Sequence, residues 1–285
     1  MYVVMEEKMI HVVMRTCDRH SLVSTRIVNK KECILRCLNS ILKNLESIED
    51  KSLHIIDDNS SDDLKNKLKS IVEHLPFVTI NYLPERDQTG LSAKKKSRYS
   101  VQVAYEYIYN LPDEDLVYVV EDDYLHFPNA IQEMVNTWNY FSKFIPFNIG
   151  IFPQDFNQLH LHPSFHHNET YFQSGFVVPS HRRYYKTTWF TQESFMIQSK
   201  LFKQYKTEFD SLLKIGEDPS CWEGNTISSV WCKPDVRMFM PLGSLVVHMS
   251  DKTDIPFFIS KEQVIKLWNE NQTSWSSEQD SQVQL

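Results

Sequence analysis

Glycine is scarce in this chain, with six residues in 285, scattered singly. A GxGxxG turn or a P-loop needs several glycines within a few positions, so that backbone amides can close on a phosphate. Neither pattern follows the first apolar run. A nucleotide bound here would need its phosphates neutralised by other means. Cysteine is thin too: Cys17, Cys33, Cys37, Cys221 and Cys232 form no CxxC and are odd in number. That fits reduced thiols in a cytosolic protein better than a disulfide framework. No run approaches the ~18 apolar residues of a membrane span, and the opening MYVVMEEKMI lacks the basic start and long apolar segment of a leader. The expectation is a cytoplasmic protein without integral membrane contact. Excess positive charge is missing as well. A net charge of −7 gives no general attraction to nucleic acid or anionic lipid.

What is present is core-forming material: 41% apolar and 13% aromatic residues, which excludes global disorder. The first half alternates strand and helix signals. Short apolar runs fall at 10–14, 53–56, 77–83 and 116–120. Between them lie helical spacings over 26–45 (Ile27, Ile34, Leu38, Ile41, Leu42, Leu45), around Leu64, Leu68, Ile71 and Val72, and from Ser92 to Tyr109. Repeated strand–helix units with continuous apolar strands predict an α/β fold, its mostly parallel central sheet flanked by helices. The second half is less regular. Helices are expected after Pro128 and near 198–213, 220–230 and 261–269, with a strand at 244–248 and loops and short strands over 145–195. The polar end, 273–285, is expected to be disordered.

Ligands of such sheets bind beyond the carboxyl ends of the strands, where RTCDR, DDNSSDD and EDD fall. Glu121, Asp122 and Asp123 follow the apolar LVYVV and cannot all be buried as unpaired charges. A divalent cation held by such carboxylates can bridge diphosphate oxygens with few protein ligands; a solvated turn that caps the next helix is the competing reading. Asp57 and Asp58 end the neighbouring strand and can accept from base or ribose donors. They do not form an EF-hand, because Asp62 and Leu68 stand where a glycine and an acid are needed. His248 closes another apolar strand, and there a structural histidine competes with a metal ligand.

The segments VVMRTCDR, HIIDDNSSDD, GLSAKKKSR and VYVVEDDYLHFP, in this order and spacing, resemble the nucleotide-binding half of a GT-A (Rossmann-like) glycosyltransferase of family 2. EDD is also similar to the form of the DXD motif in N-acetylglucosaminyltransferase I type enzymes. The resemblance covers residues 10–130 and thins to GEDPSCWEGNTISSVW and VVH thereafter. It implies a single GT-A domain, with residues 1–130 binding the nucleotide-sugar and 131–272 the acceptor. The donor would be a nucleotide diphosphate-sugar, UDP-linked, used with Mn²⁺ or Mg²⁺. Thr16 and Arg19 would line the nucleotide pocket, Asp57 and Asp58 would hold the base, and Asp122 would face the ribose. Asp123 and His248 would bind the metal. Lys94 and Arg98, four apart on one helix face, could approach the diphosphate or simply be solvated.

An inverting transferase also needs a carboxylate to deprotonate the acceptor hydroxyl. The resemblance places it in GEDPSCWE, where Asp218, then Glu217 and Glu223, are the candidates, although Asp218 before Pro219 also suits a helix cap. The acceptor stays open between a glycan, a protein and a modified nucleic-acid base. His160, His162, His166 and His167 match no structural zinc spacing, and an acceptor-side loop is preferred. HRRYYKTTWF interleaves Arg182, Arg183 and Lys186 with aromatics, a pattern that suits sugar or base stacking as well as an ordinary surface loop. Two rival readings are a glycan-binding protein on a degenerate GT-A scaffold and a sugar nucleotidyltransferase. The glycine-rich segment expected of the latter is absent.

Overall fold

The computed structural model describes residues 8–19, 27–86, 93–155, 157, 175–214, 218, 221, 223–250, 255–276 and 283, with the side chains of 93 and 94 excepted. The first half of the chain is built from β1 (Ile10–Thr16), α1 (Lys30–Leu45), β2 (Lys51–Asp57), α2 (Asp62–Val72), β3 (Val78–Tyr82), α3 (Ala93–Tyr109) and β4 (Leu116–Glu121). Each predicted element is there, within a few residues at its ends. Helix α1 starts at Lys30 because Asn29 Oδ1 accepts the amides of Lys31 and Glu32. Ser61 caps α2 in the same way.

The later elements are β5 (Tyr124–His126), α4 (Ala130–Phe144), β6 (Asn148–Ile151), β7 (Val177–Pro179), β8 (Tyr184–Thr188) and β9 (Phe195–Gln198). They continue through α5 (Ser199–Gln204), α6 (Lys206–Ser211), α7 (Ile227–Trp231), β10 (Val236–Pro241), β11 (Val246–His248) and α8 (Lys261–Glu270). The helix predicted over 198–213 breaks at Tyr205, and the one predicted over 220–230 contracts to α7 among the described residues. Half of HRRYYKTTWF, Tyr184–Thr188, is strand β8, one of the short strands expected over 145–195.

Nine strands form one sheet in the order β3-β2-β1-β4-β9-β6-β10-β8-β7, and β11-β5 form a separate ribbon. Pairing is parallel from β3 to β4 and between β6 and β10, and antiparallel at β4–β9, β9–β6, β10–β8 and β8–β7. The sheet is therefore mixed. Its parallel side is the half with regular strand–helix alternation, and the antiparallel strands come from the irregular second half.

Alternation along the strands divides the core. Val12, Met14, Tyr118 and Val120 face α1 and α4 through Ile34, Leu38, Ile41 and Met134. Val13, Val117 and Val119 face α3, α5, α6 and α7 through Tyr105, Phe202, Phe209 and Trp231. Arg36 crosses the first layer fully buried: Nε donates to Glu32 at 3.1 Å, Nη1 to the Trp268 carbonyl at 2.7 Å, and the guanidinium lies 4.4 Å from the Trp268 ring. It fastens α8 to α1. Of the tail expected to be disordered, 273–276 close a turn, with Ser276 N donating to Thr273 O at 3.1 Å. The rest, apart from residue 283, lies outside the described residues. Among the described residues no helix is long and apolar enough to cross a membrane.

Candidate active site

Parallel register sets the carboxyl ends of β1, β2 and β4 side by side, with Arg15 opposite Glu121 and Thr16 opposite Asp57. Beyond Glu121 the chain turns at Asp122–Asp123 and returns as β5. Strand β11 pairs with β5 so that His248 stands opposite Tyr124. That ribbon brings the two metal candidates together from distant parts of the chain. His248 Nε2 lies 3.2 Å from Asp123 Oδ1, and both residues are buried. The imidazole stacks on Tyr124 at 4.6 Å, and its Nδ1 lies 3.3 Å from Ser250 Oγ. The Met249 amide holds the Asp123 carbonyl at 2.7 Å.

The three consecutive acids take different partners. Glu121 sits 3.8 Å from Arg15, whose guanidinium also pairs with Glu193 just before β9. Ser194 Oγ accepts the Glu121 amide at 3.1 Å. Asp122 Oδ2 accepts the Cys17 amide at 3.0 Å, and Oδ1 meets the Lys30 ammonium. Burial, with Glu193 and Asp123 close by, pushes Glu121 up to about 8, against the opposing pull of Arg15 and His248. Burial likewise raises Glu193; Arg15 opposes this and Glu223 reinforces it.

The other expected residues divide. Thr16 Oγ1 donates to Asp57 Oδ2 at 3.0 Å, while Asp57 Oδ1 accepts the Ser60 amide at 3.0 Å. This closes the turn after β2 that Asn59 passes with φ +58°. Burial holds Asp57 above the usual carboxylate range. Both residues thus shape the rim from inside. Asp58 accepts from Arg86 at 2.6 Å, and Arg86 lies 4.1 Å from the Tyr99 ring. Arg19 is exposed and 3.9 Å from Glu85. Lys94 is on α3, but its side chain lies outside the described residues; Arg98, on the same helix, is half-buried.

Of the carboxylates expected to activate the acceptor, Asp218 is exposed in a turn, its amide 3.2 Å from the Lys214 carbonyl. Glu223 is half-buried and near enough to act on Glu193. Glu217 and the histidines at 160, 162, 166 and 167 lie outside the described residues. In the basic–aromatic segment, Arg183 Nη2 donates to Glu133 at 3.0 Å and Tyr185 is fully buried, so these two are structural; Tyr184 is exposed.

Sequence reasoning missed Arg15, Lys30, Arg86 and Glu193. A charge at the end of the apolar run IHVVM was a usable signal for Arg15. Glu193 gave none, because it meets Arg15 across 178 positions.

Among the described residues no three His, Cys, Asp or Glu side chains enclose a metal. An Asp–His pair at a strand-end rim nevertheless suits a divalent cation whose other positions are filled by phosphate oxygens and water. The donor set fits Mn²⁺ or Mg²⁺ carried with a diphosphate.

Comparison with curated protein sequences gives no match. Among solved structures, the mannosyltransferase PcManGT from Pyrobaculum calidifontis, in complex with GDP-Man and Mn²⁺, is similar with a TM-score of 0.54 at 11% identity, over 93% of this chain and 64% of that one. S. aureus TarS 1-349 gives 0.49 at 10% identity, over 92% and 64%. The chain thus spans less than two thirds of either, and at 11% identity the likeness to the mannosyltransferase is one of fold. The sequence profile of Glycosyl transferase family 2 matches residues 25–206, well over half of the chain, from the approach to α1 through β9 and α5. The chain belongs to glycosyl transferase family 2.

Proposed function

We propose that the protein transfers a sugar from a nucleotide diphosphate-sugar, UDP-linked, to an acceptor hydroxyl with inversion at the anomeric carbon. The observation that carries this reading is the meeting of Asp123 and His248, 3.2 Å apart, on the rim of the parallel half of the sheet. Residues 1–130 would bind the donor and 131–272 the acceptor, within one domain.

Asp123 and His248 would hold Mn²⁺ or Mg²⁺, and Tyr124 and Ser250 keep the imidazole oriented toward Asp123. When bound, the cation would supply charge stabilisation to the departing diphosphate. Asp58 with Arg86 and Tyr99 offers a carboxylate, a guanidinium and a ring where the base is expected. Asp122 would turn toward the ribose. A carboxylate of the 217–223 segment would take the acceptor proton. Glu223 is favoured over the exposed Asp218, because it is half-buried and lies near Glu193 at the rim.

Calorimetry with UDP, with and without Mn²⁺, tests the reading. UDP should bind more tightly with the metal, and Asp123→Ala and His248→Ala should each abolish that gain. Slow metal-dependent hydrolysis of one member of a nucleotide-sugar panel would identify the donor without knowledge of the acceptor. UDP binding that ignores Mn²⁺ in the wild type would refute the metal assignment. Stoichiometric zinc with no nucleotide binding would refute the function.

A further inference from the structure

Lys30 is the first residue of α1, and its ammonium meets Asp122 Oδ1. The two side chains are only 14% and 10% exposed, so the contact is largely withdrawn from water. Asp122 Oδ2 accepts the Cys17 amide at 3.0 Å. The end of β1, the start of α1 and the turn after β4 therefore converge on one carboxylate, the one that the family resemblance turns toward the ribose.

The helix terminus alone does not make an anion site here. Asn29 Oδ1 already accepts the amides of Lys31 and Glu32, at 3.0 and 3.3 Å. What α1 offers a phosphate is the positive end of a sixteen-residue helix and the Lys30 ammonium beside it. Another cation of the rim, Arg15, is engaged by Glu193 and Glu121. Lysine also suits movement better than arginine, since it carries a compact charge on a flexible four-carbon stem.

We propose that Lys30 is a donor-binding residue that changes partner when a nucleoside diphosphate enters. The ribose hydroxyls take Asp122 Oδ1, and the Lys30 ammonium swings onto the diphosphate oxygens. One ammonium–anion contact replaces another. Asp122 meanwhile gains hydroxyl donors in place of the ammonium, and the diphosphate gains a cation that is not a metal. This rests on the nucleotide-sugar reading above.

The test is calorimetry of UDP and of uridine, with GDP and guanosine as a second pair, on the wild type, Lys30→Met and Lys30→Arg in the presence of Mn²⁺. Loss of one charge-assisted contact should weaken diphosphate binding by about ten- to a hundredfold in Lys30→Met. Nucleoside binding should be unchanged or tighter, because Asp122 is released. Lys30→Arg, which keeps the charge, should recover most of the diphosphate affinity. Equal weakening of nucleoside and diphosphate in Lys30→Met would show that Lys30 only braces the Cys17 loop, and would overturn the proposal. Undiminished diphosphate binding would overturn it too, while leaving the glycosyltransferase reading intact. A wild type that binds neither UDP nor GDP would bring down both.

Discussion

Replacing Arg15 by Met would break the ion triplet at the centre of the rim. Arg15 and Glu193 are 11% and 15% exposed at their side chains, so the pair is mostly desolvated; Glu121, at 32%, is less so. Removing one partner of a buried pair costs about 3–5 kcal/mol, chiefly because the other charge is left uncompensated. That is a large share of a total stability of about 5–15 kcal/mol. Glu193→Gln should cost less, since Arg15 keeps Glu121 at 3.8 Å. In the double variant no carboxylate remains at 193 to be left uncompensated. Its cost should fall short of the sum of the singles by about 1–3 kcal/mol.

The sign of the pH effect follows from the raised carboxyls. In the fold Glu193 is raised and Glu121 lies near 8, both against an ordinary value of 4.5. Stability from a raised carboxyl is full below its unfolded value and is lost as pH climbs through the folded one. Arg15 opposes both rises, so its removal should push them further and deepen the loss at alkaline pH. Urea unfolding followed by the fluorescence of the six tryptophans, at about pH 5.5 and about pH 8.5, reads both effects. Additivity of the singles to within ~0.5 kcal/mol would refute the triplet as an energetic unit. So would an Arg15→Met deficit that shrinks as pH rises.

In the wild type, the Glu121 contribution to stability should decline as pH rises from 4.5 toward about 8, a slope that Glu121→Gln should flatten in the same unfolding assay. Arg36→Met leaves Glu32 buried without its guanidinium and α8 without its anchor. Thermal unfolding should show a loss of about 3–5 kcal/mol, with early hydrogen exchange in 261–270. Gly150→Ala would set a Cβ 2.5 Å from Met238 Cε and 3.1 Å from Ile197 Cγ2. The methionine end can swing aside, so a cost of about 1–3 kcal/mol is expected by urea titration, and Gly150→Val should be worse. Arg86→Ala should weaken UDP and uridine alike in calorimetry, because it unseats Asp58, which we propose holds the base and not the diphosphate.

Much of the first half was legible because its signals are local. Val12, Leu53 and Val117 sit in short apolar runs closed by acids or by Arg15, and strand ends of that kind fall on one rim of a parallel sheet. His248 could be singled out for the same reason, as a polar residue ending LVVH. The second half resisted reading for physical causes. The four-residue strands β6 and β9 carry too few alternations to declare a period. The break between α5 and α6 at Tyr205 has neither proline nor glycine to mark it. Arg36 reads as an ordinary polar helix position until Trp268 arrives from 232 residues away. The rim cations Lys30 and Arg86 were hidden likewise, since a lysine in the first turn of a helix and an arginine after a strand are unremarkable until Asp122 and Asp58 are placed beside them.

The partition of the acidic triplet bears directly on the function. Three consecutive carboxylates at one strand end would repel one another, yet the fold sends Glu121 to Arg15, Asp122 to Lys30 and Asp123 to His248. A surplus remains. Among the described residues, Glu121, Asp122, Asp123 and Glu193 supply four potential negative charges, while the cations paired with them, Arg15 and Lys30, supply two permanent positive ones. A purely structural rim gains nothing from that imbalance, because excess buried charge lowers stability. A protonated Glu121 would remove part of the surplus at neutral pH, and a dication at Asp123 and His248 would remove all of it with every acid ionised. The two alternatives separate experimentally: if Mn²⁺ takes the place of the proton, binding of Mn²⁺ with UDP should release protons between about pH 6 and pH 8, seen as an enthalpy that depends on the buffer's own ionisation heat. A buffer-independent enthalpy would mean that Glu121 does not sense the cation, and the charge argument for this rim would fail.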